Sequence, residues 1–426
     1  MRAFFDALSS RRTSILLMAF IAGVGAVGAW IPQRSNTTTV ALEAWQAEHP
    51  SLAGIAAALA LDAVFSTWWF LAVLSVFVVS LGIATVRMIA DAARRTRSCE
   101  ASRTTDIPGV SFENAVDRAH ALGYSGRVDA DGTAVLWRHR AGVWAPAVMH
   151  TGMVIALAAA AASSALTSRA VLDLSAGEVF EPGDAYLVTE RGAFGGAPEL
   201  GAPLRLDGLE TETWSTGELK TLTATLSVKD EAGQWRAYRS TANDPLTVLG
   251  HVVYVQAGEF GDAAYLVVTD QAGVSHPVRM EFLFAGPGEV AYSGVTIDGA
   301  PAIDGRWDPD GVRSDRPLAL RPAGDDDFDP VTLTEGDMAS IDGYSVEFVE
   351  SGQWARLIVA RPYATRVLFA GFGVIALGSL MIYLWVPRRL VLVREGDGVR
   401  YAWWAPRMVQ GYRVEIDEIA GRRRAG

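Results

Sequence analysis

Only six of the 426 residues are histidine and one is cysteine. A lone Cys99 excludes an intrachain disulfide, a CxxC motif and any cysteine-rich metal cluster, so redox work, if needed, belongs to a partner. His150 is the one histidine inside a stretch apolar enough to span a bilayer. A polar ring in hydrocarbon needs a partner, and two readings stand side by side: axial ligation of a haem iron, or a hydrogen bond to a neighbouring helix. Bis-His ligation would need a second imidazole, and the fourth apolar stretch has none. It would come from a partner or from His139, which precedes His150 in the chain. Arg138 and Arg140 flank His139 and either fix topology or bind an anionic group through charge-assisted hydrogen bonds. His49 and His120 fall in polar helical stretches. His251 and His276 fall in strand-like ones, where a single histidine specifies little, and His251 ranks first of these four. The Asp325-Asp-Asp327 run lacks the spacing and closing Glu of a calcium loop and reads as a solvated loop. No GxSxG, HExxH, Walker A or dinucleotide fingerprint occurs in a supporting context, so no catalytic residue is assigned.

Four stretches approach the roughly 20 apolar residues that a bilayer core requires: 14–31, 64–89, 145–167 and 367–386. Trp30, Trp68, Trp69, Trp144 and Trp385 suit the membrane interfaces. Arg11 and Arg12 precede the first span, Arg94, Arg95, Arg97, Arg138 and Arg140 lie between the second and third, and Arg388, Arg389 and Arg394 follow the fourth. These segments should face the cytoplasm, with both termini inside and 33–63 and 169–366 outside. The first stretch also fits a cleaved signal peptide, which would leave the orientation of the later spans unchanged.

Between Arg169 and Tyr363, period-two runs such as Thr221–Val228, His251–Gln256 and Tyr265–Thr269 alternate with Gly, Asp, Pro and Asn clusters. Turn signals include Glu181–Asp184, Asp230–Gly233, Asp308–Gly311 and Ala323–Asp327. This pattern predicts a mainly antiparallel β domain, a sandwich or an open barrel, large enough to bury its own core. Residues Ala170 to Arg361 carry 32 acidic and 13 basic side chains, a balance of −19 against −11 for the whole chain, leaving +8 elsewhere. Nucleic-acid binding by the large domain is disfavoured, because phosphate recognition relies on clustered Lys and Arg.

Several segments, in order along most of the chain, resemble the ResB family. Ala29-Trp-Ile-Pro-Gln33 is similar to the family's first helix closing on a Pro-Gln pair, and Leu61-Asp-Ala-Val-Phe-Ser-Thr-Trp-Trp-Phe70 to its entry into the second helix. Ala121-Leu-Gly-Tyr124 is followed by the most specific match, Arg140-Ala-Gly-Val-Trp-Ala-Pro-Ala-Val-Met-His-Thr-Gly152. Asp244–Tyr254 resembles the family's Pro-Leu-x-x-x-Gly-x-x-x-Tyr strand, and Val386-Pro-Arg-Arg389 its exit from the last helix.

The resemblance implies a component of the system II cytochrome c biogenesis pathway in the bacterial inner membrane. Such a subunit, not an enzyme alone, joins a ResC/CcsA-type partner that owns the WWD haem site. Together they carry haem outward and attach it to the CXXCH thiols of apocytochrome c. It strengthens His150 as a transient haem ligand and gives Arg138 and Arg140 haem propionates to sense. The runner-up is a membrane-anchored extracytoplasmic binding or sensing module without haem. The implied organisation is a helix pair over 1–90, a cytoplasmic segment 91–144, a third span 145–167, a β domain 168–366, a fourth span 367–386 and a cytoplasmic tail 387–426.

Overall fold

A computed structural model describes residues 10–33, 37, 39–97, 105–107, 109–286, 288–297, 300–307, 317–325, 329–396 and 398–422. Cys99, the Asp308–Gly311 turn and Asp326 and Asp327 lie outside the described residues. The chain divides into two compact units, one formed by 1–33, 51–164 and 364–426, the other by 34–50 and 165–363.

The α-helices among the described residues are α1 (Arg11–Trp30), α2 (Thr39–Glu48), α3 (Pro50–Leu59), α4 (Trp68–Arg97), α5 (Phe112–Ala121), α6 (Ala145–Leu166), α7 (Thr365–Leu384) and α8 (Val409–Ile419). Helices α1, α4, α6 and α7 are long and apolar enough to cross a membrane. The second begins later than hydropathy alone suggests. Leu61–Ser66 forms a 3-10 turn broken at Ala63, and Thr67 is extended, with its Oγ1 accepting the Phe70 N–H at 3.4 Å. Thr67 is thus an N-cap, and the helix proper starts at Trp68. It also runs past Ile89 to Arg97, where Arg94, Arg95 and Arg97 sit favourably against the negative end of the helix dipole.

In the first unit, a five-stranded antiparallel sheet runs in the order Thr105–Ile107, Gly398–Trp404, Arg388–Glu395, Thr133–Arg138, Ser125–Val128. Two segments that read separately in sequence, one before α6 and one after α7, therefore share one sheet. Its core joins Leu136, Leu390 and Leu392 of the strands to Phe112, Ala115 and Ala119 of α5 and Ile416 and Ile419 of α8. On α5 these apolar residues recur at three- and four-residue spacing, the single buried stripe of an amphipathic helix. Arg118 Nη1 ties the two helices by donating to the Ile419 carbonyl at 3.1 Å.

In the second unit, two long strands, His251–Thr269 and Tyr344–Ala360, pair antiparallel at the centre of a seven-stranded sheet. The register shifts between Val255 and Phe260, marking a bulge. On one side of that bulge the sheet buries Leu172, Val253 and Leu357 with Leu206 and Leu226 from a second, four-stranded sheet. On the other it buries Leu266, Phe282 and Phe348 with Ile303, Trp307 and Leu320 from a third. One continuous pair of strands thus serves two separate cores.

Between them lies a band of charge. Arg356 grips Asp173 with two hydrogen bonds of 2.8 and 2.9 Å and reaches Glu259 at 2.9 Å. Arg279 donates to Ser175 at 3.1 Å and to Glu281 at 2.9 Å, beside the buried Trp354. Burial pushes the Glu259 carboxyl above the usual carboxylate range despite Arg356 beside it.

Candidate functional site

The most specific sequence stretch, Arg140–Gly152, folds as a 3-10 turn over Arg140–Val143 followed by the start of α6. Its glycines are demanded by close approach. A Cβ on Gly142 would lie 1.7 Å from the Trp385 carbonyl oxygen, and one on Gly152 2.6 Å from the Ile375 nitrogen. From the other side, Cβ atoms on Gly371 and Gly378 would meet Ala156 and Met149 backbone at 2.8 and 2.4 Å. Helices α6 and α7 therefore meet through small residues, as membrane helices do when backbones touch. Pro146, in the first turn of α6, forfeits an N–H that had no intrahelical partner.

His150 is partly exposed, and its Nδ1 lies 2.8 Å from the Pro146 carbonyl oxygen. A carbonyl only accepts, so Nδ1 carries the proton and Nε2 keeps its lone pair in the neutral ring. Successive helical residues turn by about 100°, so His150 sits about 160° around α6 from Gly152, opposite the contact with α7. This imidazole suits an axial ligand: one nitrogen is anchored to the backbone and the other keeps its lone pair.

His139, Arg138 and Arg388 form a second, denser group centred on Glu415 of α8. Glu415 Oε1 accepts from Arg138 Nη1 at 2.9 Å and from Arg388 Nη1 at 2.5 Å, while Oε2 accepts from the Tyr124 hydroxyl at 2.8 Å. Trp403 Nε1 donates to that hydroxyl at 3.0 Å, and the Arg388 guanidinium lies 4.2 Å from the Tyr412 ring. Burial and the neighbouring carboxylate hold the Tyr124 hydroxyl above the ordinary phenol range, so it stays a donor. His139, left-handed at φ 54, is pushed below its ordinary pKa by burial and by Arg388 and Arg138, which keeps it neutral. The Arg388 side chain is 4% exposed, and its Nε has no partner among the described residues.

Four residues singled out in the sequence therefore fall into three settings. Arg138 and His139 join the Glu415 group. Arg140 donates to the Thr96 carbonyl at 2.9 Å, satisfying a backbone acceptor at the end of α4. His150 stays apart on α6. Among the remaining histidines, His49 stacks on Trp45, His120 Nδ1 donates to the Tyr124 carbonyl at 3.1 Å, and His276 Nε2 lies 3.3 Å from Asp270. His251 is buried, and its Nδ1 has no hydrogen-bond partner among the described residues. No cluster of three or more metal-ligating side chains occurs among the described residues.

Sequence reasoning missed Glu415 and Trp403, quoted Tyr124 only as the end of a family-like segment, and read Arg388 as a topology signal and part of another such segment. Arg388 had one available clue, its place in Val386-Pro-Arg-Arg389 directly after a span. Glu415 had none, because its partners lie far away in the chain.

The other family-like segments also have physical roles. Gln33 Nε2 donates to the Ile31 and Leu61 carbonyls at 2.9 and 2.8 Å, stapling the end of α1 to the turn before α4. Leu249 and Gly250, at φ 48 and 80, form a two-residue turn between Leu246–Val248 and His251–Thr269, which is why a glycine stands there.

No curated protein matches the sequence. Among solved structures, a chain titled Cytochrome c Heme Lyase CcmF is similar at 13% identity and a TM-score of 0.23, covering 73% of this chain and 30% of that one. This chain thus spans under a third of that protein's length, and a likeness so slight carries no argument. The sequence matches the ResB-like family over residues 11–281, well over half its length, and the chain belongs to that family.

Proposed function

We propose that this chain is the ResB-like component of a system II cytochrome c maturation complex in a bacterial inner membrane, assisting haem delivery and its attachment to apocytochrome c. The observation that carries the reading is the family match over residues 11–281. Four apolar helices and an acidic β domain bounded by two of them are consistent with it. The arginine distribution supports the β domain outside and both termini in the cytoplasm. The WWD haem site belongs to a ResC/CcsA-type partner, and this chain supplies supporting contacts and the outer domain.

Haem iron takes nitrogen lone pairs as axial ligands. Within this chain His150 is the residue suited to give one, through Nε2, while Pro146 fixes the ring. Arg138 and Arg140 already hold Glu415 and the Thr96 carbonyl, so either would have to share its donors to meet a propionate.

The test is the Soret absorbance per mole of complex purified with its partner, for wild type, His150→Ala and His139→Ala, with and without imidazole. The expected result is loss of haem in His150→Ala and its recovery with imidazole, since free imidazole replaces a ligand but cannot repair helix packing. Unchanged haem in His150→Ala removes His150 as a ligand. Absence of a Soret band in every preparation refutes haem handling.

A further inference from the structure

Within the first unit, one end of the five-stranded sheet is tied to the ends of two apolar helices. Trp404, the last residue of its strand, pairs with Arg389, which follows α7 by five residues. The guanidinium of Arg95, in the last turn of α4, lies 5.9 Å from the Trp404 ring. That of Arg407 lies 5.6 Å from the ring of Tyr383, in the last turn of α7. The segment that joins this strand to α8 is therefore held level with the last turns of α4 and α7.

This segment presents side chains that the fold does not use. Met408 is 65% exposed and Val409 48%, beside a Tyr383 that is 78% exposed. The other side of α8 does the packing: Ile416 and Ile419 enter the core, and Tyr412 stacks under Arg388. Charge also divides along the chain here. Residues 405–414 carry Arg407 and Arg413 and no carboxylate, whereas 415–419 carry Glu415, Asp417 and Glu418. An apolar, cationic tip beside the end of a span, with the acidic turns beyond it, is the pattern that an anionic lipid surface attracts.

We infer that Met408 and Val409 enter the lipid interface at the C-terminal end of α7, with Arg407 and Arg413 on anionic headgroups. This rests on the reading of α7 as a membrane span. Tyr383 marks the depth, since its ring favours the interface, and Arg407 above it can keep its stem in the apolar layer and its guanidinium at the phosphates. Val128 supplies a contrast. It is 47% exposed and belongs to the same sheet, but it pairs with Ala134, four residues of strand from Arg138 and so roughly 13 Å from the end that meets the helices. Val128 therefore stays in water.

The chain's single cysteine makes the test direct. In a Cys99→Ser background, Met408→Cys, Val409→Cys, Val128→Cys and Leu377→Cys are spin-labelled one at a time in the full chain. Each is reconstituted in nanodiscs of phosphatidylcholine with and without phosphatidylglycerol, and its accessibility to oxygen is compared with that to a neutral, water-soluble nickel chelate. With phosphatidylglycerol, the oxygen-to-nickel ratio should be highest at Leu377 in mid-span, lower at Met408 and Val409, and several-fold lower again at Val128. Removing phosphatidylglycerol, or adding Arg407→Gln and Arg413→Gln to each chain, should lower the ratio at Met408 and leave those at Leu377 and Val128 unchanged. Ratios at Met408 and Val409 no higher than at Val128, with Leu377 in lipid, overturn the inference and leave the spans standing. Labels at Met408 and Val409 shielded from both reagents also overturn it, pointing to a protein contact. A Met408 ratio indifferent to phosphatidylglycerol and to both arginines overturns the assignment to anionic lipid. A nickel-accessible Leu377 overturns the span reading and this inference together.

Discussion

Glu415→Gln removes the one negative charge that holds two guanidinium groups together. Glu415 Oε1 lies 2.9 Å from Arg138 Nη1 and 2.5 Å from Arg388 Nη1, so these nitrogens are at most 5.4 Å apart. Two unit charges at that separation repel by about 3 kcal/mol at an effective dielectric near 20. Arg388, at 4% exposure, cannot swing to water, whereas Arg138, at 32%, can escape in part. The cost therefore falls at or somewhat below the 3 to 5 kcal/mol typical of a broken buried pair, about 3 kcal/mol. Hydrogen exchange followed by mass spectrometry on the intact protein in detergent reads this locally. Amides in Arg388–Glu395, Thr133–Arg138 and Val409–Ile419 should exchange about 100-fold faster in Glu415→Gln, since 1.4 kcal/mol is a factor of ten. Those in His251–Thr269 should be unchanged. Replacing Arg388 with Met in the same variant should recover part of the protection, because the stranded cation is gone. Acceleration under about threefold in Glu415→Gln would refute the view that this carboxylate holds the five-stranded sheet to α8.

The bulge carboxylate gives a pH signature. Glu259 has a folded-state pKa raised above its unfolded value, so its contribution to stability is fully present below the unfolded pKa and is lost as pH rises through the folded one. Glu259→Gln should therefore stabilise increasingly relative to wild type as pH rises above about 4.5, levelling off once the folded-state carboxyl has ionised, with Arg356 still gripping Asp173; a thermal-melt difference that stays flat or falls as pH rises from that point would contradict this. Gly378→Leu, whose Cβ would sit 2.4 Å from the Met149 nitrogen, should force α6 and α7 apart and lower the folded yield several-fold, whereas Gly373→Leu, with open space at its Cβ, should be tolerated; fluorescence-detected size exclusion compares them. For topology, impermeant thiol reagent applied to intact cells should modify Asp325→Cys and spare Arg422→Cys in the Cys99→Ser background. The reverse pattern would invert the proposed orientation.

The four long apolar helices were legible because length and hydropathy are local, and so were turns such as Asp230–Gly233, where the Gly233 N–H donates to the Asp230 carbonyl at 2.9 Å. The long central strand was only half legible. His251–Gln256 and Tyr265–Thr269 read as separate runs because Ala257, Gly258 and Glu259 interrupt the alternation, yet the interruption is a bulge within one strand and not a turn. The five-stranded sheet could not be read locally, since Arg388–Glu395 finds its partner in Thr133–Arg138 across the whole β domain. Of the candidate site, His150 stood out because an imidazole in an apolar run is conspicuous. The Glu415 group did not, because a carboxylate on a polar helix looks solvated until distant arginines surround it.

The shared central strands also fix the order in which the molecule can be completed. Arg169 pairs with Ala360, and Arg138 with Arg388, separations of 191 and 250 residues. Pairings this remote carry a large loop-closure cost and form slowly. During synthesis, one edge of Ser168–Ser175 and one edge of His251–Thr269 must wait unpaired until Tyr344–Ala360 emerges, and the five-stranded sheet waits longer still, for residues beyond α7. Until then each is a template for wrong pairing. Truncation shortly before Tyr344 would therefore yield neither a half-domain nor a single stable core, but an aggregation-prone chain.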